Sequence, residues 1–311
     1  MKEIKIKKSE SGIELKKYLK RTFAHMNDSL LNKLIRKKYF EINGKKANGK
    51  EILYENDIVS MHLSDETFDK FFVDNVEFYS NKDIDLLDIK NRIVYEDDNV
   101  IIFNKPVGML SQGDKSGDLS VNTILNEYYV NTANIFKPSV VNRLDRNTEG
   151  IIIFAKTYIS AKEISKMIKD GNIEKHYKAT VNGILKNDNM TLINLYKKDE
   201  KHNKAIIRDY NGKLLDGYSL VKLEYKVISR NKNSTDIDIN LITGKSHQIR
   251  AQMAYIGHPL VCDKKYMDID TYRKNVKDYK SKSQKLICNK IKFGEFENDL
   301  LKKLSNKMFK I

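Results

Sequence analysis

Apolar residues in the first sixty positions recur with helical spacing and then take the pattern of strands. They share one helical face within 15–19 and again within 30–35, and the second stretch runs into the basic cluster 36–38. Residues 39–45 alternate and contain an Asn-Gly pair, which is typical of tight hairpin turns. A turn and a final strand are indicated at 55–59. The pattern therefore predicts two short helices, a hairpin and one more strand, with positive charge at the end of the second helix.

From residue 93 onward the pattern predicts strands with helices between them. Residues 93–108 indicate a strand, a turn, a second strand and a Pro-x-Gly loop, and the apolar block 151–155 indicates a buried strand. A helical face spans 160–169, an alternating strand follows at 173–183, and 286–293 suggests a last strand. This order is compatible with one large domain of mixed helix and sheet.

The distribution of charge divides the chain. Lys and Arg number 57 against 42 Asp and Glu, a net charge of +15, which favours a polyanionic partner. Nucleic acid is the first candidate and an acidic membrane surface is the second. Residues 1–60 hold nearly half of the net charge, whereas 64–90 are acidic and rich in aromatic side chains. We therefore expect a basic module at 1–62, an acidic linker at 63–90, part of which packs on a neighbour, and a larger domain at 91–311.

Other compositional features narrow the class of protein. Cys262 and Cys288 have no CxxC spacing, so neither a disulfide framework nor a zinc site is indicated. No dinucleotide or phosphate-loop glycine pattern and no metal-ligand cluster is present, and no cofactor is expected. No segment approaches the ~20 apolar residues of a membrane span. We therefore expect a cytoplasmic protein with no membrane partner. The oligomeric state cannot be read from the sequence, and a monomer is the default.

A dense polar loop at 141–150 precedes the apolar block 151–155. Loops of this kind, held by a rigid scaffold, often present functional side chains at the edge of a cleft, and Asp145 is the candidate here. A simpler interpretation is that Asp145 pairs with Arg143 or Arg146, or caps a turn. Local sequence alone favours the simpler interpretation.

Four motifs change that balance. The sequence Arg-Leu-Asp-Arg-x-Thr-x-Gly at 143–150 resembles the catalytic motif of the pseudouridine synthases of the large-ribosomal-subunit type, the RluA/RluC/RluD family. A Tyr-Glu-Asp turn leading to Lys-Pro-x-Gly at 105–108, and Lys-x-Tyr-x-Ala-x-Val-x-Gly at 175–183, resemble two further motifs of the family. The fourth is Thr-Gly-Lys-Ser-His-Gln-Ile-Arg at 243–250, followed by Gly-His-Pro at 257–259. Asn142, Glu149 and Lys245 depart from residues common in the family, which leaves the chemistry intact and puts finer substrate contacts in doubt.

The resemblance implies an α+β fold, in which a small αL-type RNA-binding domain precedes a mixed, largely antiparallel pseudouridine synthase catalytic domain. It implies that Asp145 is the catalytic carboxylate, that Tyr177 faces the target base, and that Arg250 pairs with Asp145 and favours its charged form. Arg143 would fill the space left by a flipped nucleotide. The basic residues of the αL-type module would contact phosphates. These are Lys33, Arg36, Lys37, Lys38 and Lys45.

The sequence therefore predicts an RNA pseudouridine synthase that acts on uridines of large-subunit ribosomal RNA and needs no metal. A tRNA-directed synthase is the alternative within the class, and a non-catalytic RNA-binding ribosome-assembly factor is the alternative outside it. The target uridines, the role of the segment after Tyr266, and the choice between attack and elimination by the aspartate stay open.

Overall fold

A computed structural model describes residues 1–23, 25–72, 86–114, 117–129 and 136–311. The first unit contains a small sheet and two helices. Its elements are β1 (Lys2–Lys5), α1 (Leu15–Thr22), α2 (Asp28–Arg36), β2 (Phe40–Ile42), β3 (Lys45–Lys46) and β4 (Ile58–Met61). A short 3-10 turn at Lys8–Glu10 lies between β1 and α1.

The sheet of this unit has the order β1-β4-β2-β3, with all pairs antiparallel. Both helices place their apolar faces on it, and Tyr18, Leu19 and Leu31 are buried in one cluster. Asn43 and Gly44 both have positive φ, as the hairpin turn between β2 and β3 requires. The predicted helices, hairpin and final strand are confirmed.

The acidic stretch contains helical segments at its two described ends. These are α3 (Asp65–Phe71) and α4 (Leu86–Asn91). Phe68 is buried in the apolar cluster of the first unit, so the expectation that part of this stretch packs on a neighbour is confirmed. Phe78 and Tyr79, two of the aromatic residues behind that expectation, lie outside the described residues.

The rest of the chain forms one large sheet flanked by helices. Its strands are β5 (Ile93–Glu96), β6 (Val100–Lys105), β7 (Ser139–Val140), β8 (Glu149–Ala155), β9 (Ile173–Asn182), β10 (Asn189–Asp199), β11 (Lys204–Asp209), β12 (Ser219–Arg230), β13 (Ser234–Leu241), β14 (Leu286–Phe293) and β15 (Met308–Lys310). Its helices are α5 (Val121–Tyr128), α6 (Tyr158–Lys169), α7 (Gln248–Tyr255) and α8 (Ile269–Tyr279), with a 3-10 turn at Asp299–Leu304.

Strand order places β9, β14 and β8 side by side at the middle of the sheet. The order is β11-β10-β12-β13-β9-β14-β8-β6-β5, with β15 beside β14 and β7 beside β8. Only the short β14–β8 pairing is parallel among the described strands. The expected mixed fold with a largely antiparallel sheet is thus confirmed.

Strand β8 lies in the densest part of the core. Ile151, Ile152, Ile153 and Phe154 are all fully buried, because neighbours cover both faces of this strand. The polar loop 141–148 between β7 and β8 is therefore attached directly to a fully buried strand.

Substituting Gly150 tests this attachment. Gly150 has φ +125°, and an added Cβ would overlap the backbone of Cys288 on β14. We expect Gly150→Ala to lower the free energy of unfolding by roughly 3 kcal/mol or more. Gly108→Ala is the control, since Gly108 also has positive φ (+88°) but has no atom within 4 Å of the added carbon. It should lose only about 1–2 kcal/mol. Urea unfolding of both variants measures the difference, and equal losses would contradict the close β8–β14 approach.

Candidate active site

The loop that carries Asp145 is held on both sides of that residue. Ser111 Oγ donates to the carbonyl of Leu144 at 2.8 Å and accepts from the Leu144 amide at 2.9 Å. The Thr148 amide donates to the carbonyl of Asp145 at 3.0 Å. These contacts fix the backbone of Asp145 and leave its side chain, 24% exposed, to face the adjacent cavity.

Lys105 supports the same loop from beneath. Its side chain is fully buried at the end of β6, and Nζ donates to the carbonyl oxygens of Pro106, Met109 and Arg146 at 2.9–3.0 Å. Burial lowers the pKa of Lys105 to about 8. The lysine of the Lys-Pro-x-Gly loop thus joins that loop to the Asp145 loop.

Arg250 on α7 connects two carboxylates. Its Nη1 donates to Asp145 Oδ2 at 2.9 Å, while Nε and Nη2 donate to the two oxygens of Asp263 at 2.7 and 2.8 Å. Burial alone would lower the pKa of Arg250, but the two carboxylates outweigh it and raise the pKa, so the guanidinium stays charged. Asp263 is fully buried and holds the plane of the arginine, so that one N–H points at Asp145.

The partner of the Asp145 carboxylate is far away in the sequence. The carboxylate pairs with Arg250, which lies 105 residues away in the chain, and Arg146 pairs with Asp118 at 2.6 Å.

Tyr177 projects from β9 into the same cavity. The residue is 6% exposed, and burial raises the pKa of its phenol well above the usual value, with the neighbouring Cys288 thiol adding to the shift. The phenol is consequently neutral and can donate a proton. A cavity of about 860 Å³ is lined by Asp145, Tyr177 and Arg250 together.

His247 approaches Asp145 from the start of α7. Its Nε2 lies 3.7 Å from Asp145 Oδ2, and its Nδ1 is 3.1 Å from the hydroxyl of Tyr266. The Ala205 amide donates to that hydroxyl oxygen at 2.6 Å. Burial lowers the pKa of His247, although the Asp145 carboxylate opposes the shift.

The basic residues expected to contact RNA fall into two groups. Arg143 is exposed at the rim of the cavity. Lys33 and Arg36 lie on α2, Lys37 and Lys38 follow it, and Lys45 is on β3; none of the five lines this cavity. All five are exposed, although Lys38 Nζ also donates to the Ala47 carbonyl at 3.2 Å.

The motifs did not reveal the supporting contacts. Asp263 as the second partner of Arg250, Tyr266 beside His247, and Ser111 beneath the loop are all joined to the site by long-range contacts. The position of Asp263 shortly after the Gly-His-Pro sequence was the only available signal. Across the described ranges, no cluster of three His, Cys, Asp or Glu side chains could hold a metal ion, and no helix is long and apolar enough to cross a membrane.

Comparison with protein families gives one match over half of the chain. A family model described as RNA pseudouridylate synthase matches residues 99–255. That range contains Asp145, Tyr177 and Arg250. It ends before Asp263 and Tyr266.

Individual relatives extend the match. Ribosomal large subunit pseudouridine synthase C of Rickettsia bellii is 31% identical over 262 residues, covering 81% of this chain and 82% of the relative. Ribosomal large subunit pseudouridine synthase D of Buchnera aphidicola is 35% identical over 213 residues, or 63% of each chain. The solved structure of human RNA Pseudouridylate Synthase Domain Containing 1 shares the fold, with a TM-score of 0.54 and 15% identity over 70% of this chain and 81% of that one.

Removing the charge of Asp263 tests its part in the ion-pair network. In Asp263→Asn the buried guanidinium loses its fully buried counter-ion, and we expect the free energy of unfolding to fall by about 3 kcal/mol. Asp188→Asn provides the control, because Asp188 also pairs with an arginine, Arg230, but its side chain is 78% exposed. Only a small change is expected there. Urea unfolding compares the two, and a small loss in Asp263→Asn would show that Asp263 does not stabilise Arg250.

Proposed function

Because the chain belongs to the RNA pseudouridylate synthase family, and so converts uridine to pseudouridine in RNA, we propose that Asp145 performs this reaction on uridines of large-subunit ribosomal RNA. The observation that carries the assignment is the Arg250–Asp145 ion pair at the wall of the large cavity. Relatives named for synthases C and D of the ribosomal large subunit support the choice of substrate.

The reaction requires little beyond a carboxylate and a shaped cavity. The bond from N1 of uracil to C1′ of ribose breaks, the base turns, and C5 bonds to C1′, while C5 loses a proton and N1 gains one. Asp145 either attacks C1′ or removes a sugar proton, and both routes need an ionised carboxylate. Arg250 Nη1 lies 2.9 Å from Asp145 Oδ2 and gives that carboxylate a positively charged partner.

The remaining cavity residues receive complementary roles. Tyr177 forms the platform for the detached base. Its hydroxyl is available for proton transfer at the ring carbon, where a neutral phenol relays the proton from C5 by passing on its own. A paired nucleotide must leave the RNA stack to reach Asp145, at a cost of a few kcal/mol. Arg143 at the cavity rim has a planar guanidinium that can stack in the vacated space.

The first unit is proposed to be an αL-type RNA-binding domain. Two helices packed on a small antiparallel sheet, with exposed cations at the end of α2 and on the hairpin, support this assignment. The cations would contact phosphates, which positions RNA without reading its sequence. In this arrangement residues 1–62 bind RNA, residues 63–90 link the two domains, and residues 91–311 perform the chemistry.

The central prediction concerns Asp145→Asn. This variant keeps the shape of the side chain but loses its charge, so we expect turnover to be abolished while RNA affinity stays within a few fold of wild type. Single-turnover pseudouridine formation and filter binding measure the two quantities. In cells lacking the protein, wild type should restore the missing large-subunit ribosomal pseudouridines and Asp145→Asn should not.

Asp216→Asn, an exposed carboxylate in the turn before β12, is the matched control and should behave as wild type. Substantial turnover by Asp145→Asn would remove the catalytic assignment. Loss of tRNA sites in place of ribosomal sites would leave the chemistry intact and overturn the proposed substrate.

A second prediction concerns the contribution of the basic residues at the end of α2 to RNA binding. Replacing Lys33, Arg36 and Lys37 together by alanine should weaken RNA binding and lower the slope of log affinity against log salt by about 2–3, because each lost phosphate contact contributes ~0.9. A triple alanine variant of Lys16, Lys17 and Lys20 on α1 removes the same charge from the same unit. If both triples weaken binding equally, general charge and not the α2 cluster holds the RNA.

A further inference from the structure

Lys175 lies on β9 two residues before Tyr177, so the two side chains lie on the same face of the strand. Both line the large cavity. Lys175 is only 8% exposed, which is unusual for a lysine. A buried lysine thus stands next to the tyrosine on which the detached base is proposed to stack.

The ammonium of Lys175 has no hydrogen-bond or ion-pair partner among the residues that the structure describes. Its Nζ lies beside Gly244, 3.3 Å from where a Cβ on that glycine would be. Lys175 Nζ is not completely enclosed by protein atoms. It therefore opens into the cavity that Lys175 lines. Burial lowers the pKa of Lys175, as expected for an uncompensated cation.

The other buried cations of the site are already neutralised or bound. Arg250 is held by two carboxylates, and Lys105 donates to three carbonyl oxygens. Lys198 and Lys245 also line the cavity but are exposed to solvent. Lys175 is therefore a buried amine to which the described part of the chain gives no partner. Since burying an unpaired charge costs free energy, the arrangement is accounted for by an anion that arrives during function.

The reaction generates such an anion. When the bond between N1 and C1′ breaks, its electron pair leaves with uracil, and the negative charge spreads over N1 and the two carbonyl oxygens. The same ring later returns a pair from C5 to C1′, so the lysine needs neither to gain nor to lose a proton. Tyr177 is neutral and Asp145 is negative, so neither supplies positive charge to the base.

Resting on the proposed function of the Asp145 site, we propose that Lys175 is a further catalytic residue, whose ammonium stabilises the uracil anion through a hydrogen bond to a carbonyl oxygen of the base. A preorganised donor aimed at developing charge in a water-poor site is an effective form of catalysis. Lys175 would thereby complement Asp145, since one acts on the sugar and the other on the base.

Lys175→Met tests the proposal, because methionine has a similar length and no charge. We expect single-turnover formation of pseudouridine to slow by roughly 10²–10³-fold, as when one donor to a developing oxyanion is removed. RNA affinity should stay within a few fold, and stability to urea should be unchanged or increased, since an unpaired buried charge is lost. Lys178→Met is the control, because Lys178 is exposed on the opposite face of β9 and should react at the wild-type rate.

A substrate with a better leaving base makes the test specific. RNA carrying 5-fluorouridine at the target releases a more stable anion but has no C5 proton to lose, so cleavage of its N1–C1′ bond is measured in place of pseudouridine formation. Lys175→Met should slow that cleavage by much less than it slows conversion of the uridine RNA. Equal slowing on both substrates would overturn the role in stabilising the anion, and a loss of stability in Lys175→Met would make the lysine structural.

Wild type and Asp145→Asn are measured in parallel to separate the two proposals. If wild type is active, Asp145→Asn is inactive and Lys175→Met keeps the wild-type rate, the inference about Lys175 fails alone. If Asp145→Asn remains active, the proposed function fails first.

Discussion

The bidentate ion pair between Arg250 and Asp263 is the contact on which the geometry of the site depends. A guanidinium has five donors in a fixed plane, so two bonds to one carboxylate determine where its third N–H points. Asp263 is fully buried and also accepts from the Lys265 amide at 3.0 Å, so the carboxylate that holds that plane is itself held in place. The Asp145 carboxylate therefore meets a donor whose direction is set before any RNA arrives. Such preorganisation avoids reorganising the site at the moment of reaction.

The large sheet supplies the second constraint, because it joins segments that are far apart in the chain. Strand β8 continues directly from the Asp145 loop, β9 carries Tyr177, and β14 lies between them. The close approach of Gly150 to Cys288 brings β8 against β14, and Cys288 in turn contacts the phenol of Tyr177. A shift of one strand in register would therefore change the distance between the Asp145 carboxylate and the Tyr177 phenol. The packing of β8 against β14 therefore also sets the geometry of the site.

Much of this arrangement is encoded locally, and the sequence predicts that part well. Hydrophobic spacing located α1, α2, the Asn43–Gly44 hairpin, β8, β9 and β14, since each of these patterns depends on neighbours within a few residues. The family motifs brought attention to Asp145, Tyr177 and Arg250, and these three do line one cavity. Asp263, Tyr266 and Lys175 could not be assigned in the same way. Their roles depend on contacts between residues that are far apart in the chain. A lysine without a partner has the same sequence pattern in a strand as a lysine that is paired.

The pairing of charges also explains how one cavity can serve two opposite requirements. In the proposed reaction Asp145 carries negative charge beside the sugar, whereas the departing base needs positive charge nearby. A cationic side chain that was free to move would pair with the Asp145 carboxylate, and no positive charge would then remain for the base. The structure separates the two needs: Arg250 is bound by Asp263 and Asp145, while Lys175 extends from a different strand, β9, and has no carboxylate partner among the described residues. Holding the arginine between two acids gives Asp145 a partner of its own, so in the proposed reaction Lys175 would stay available to the base.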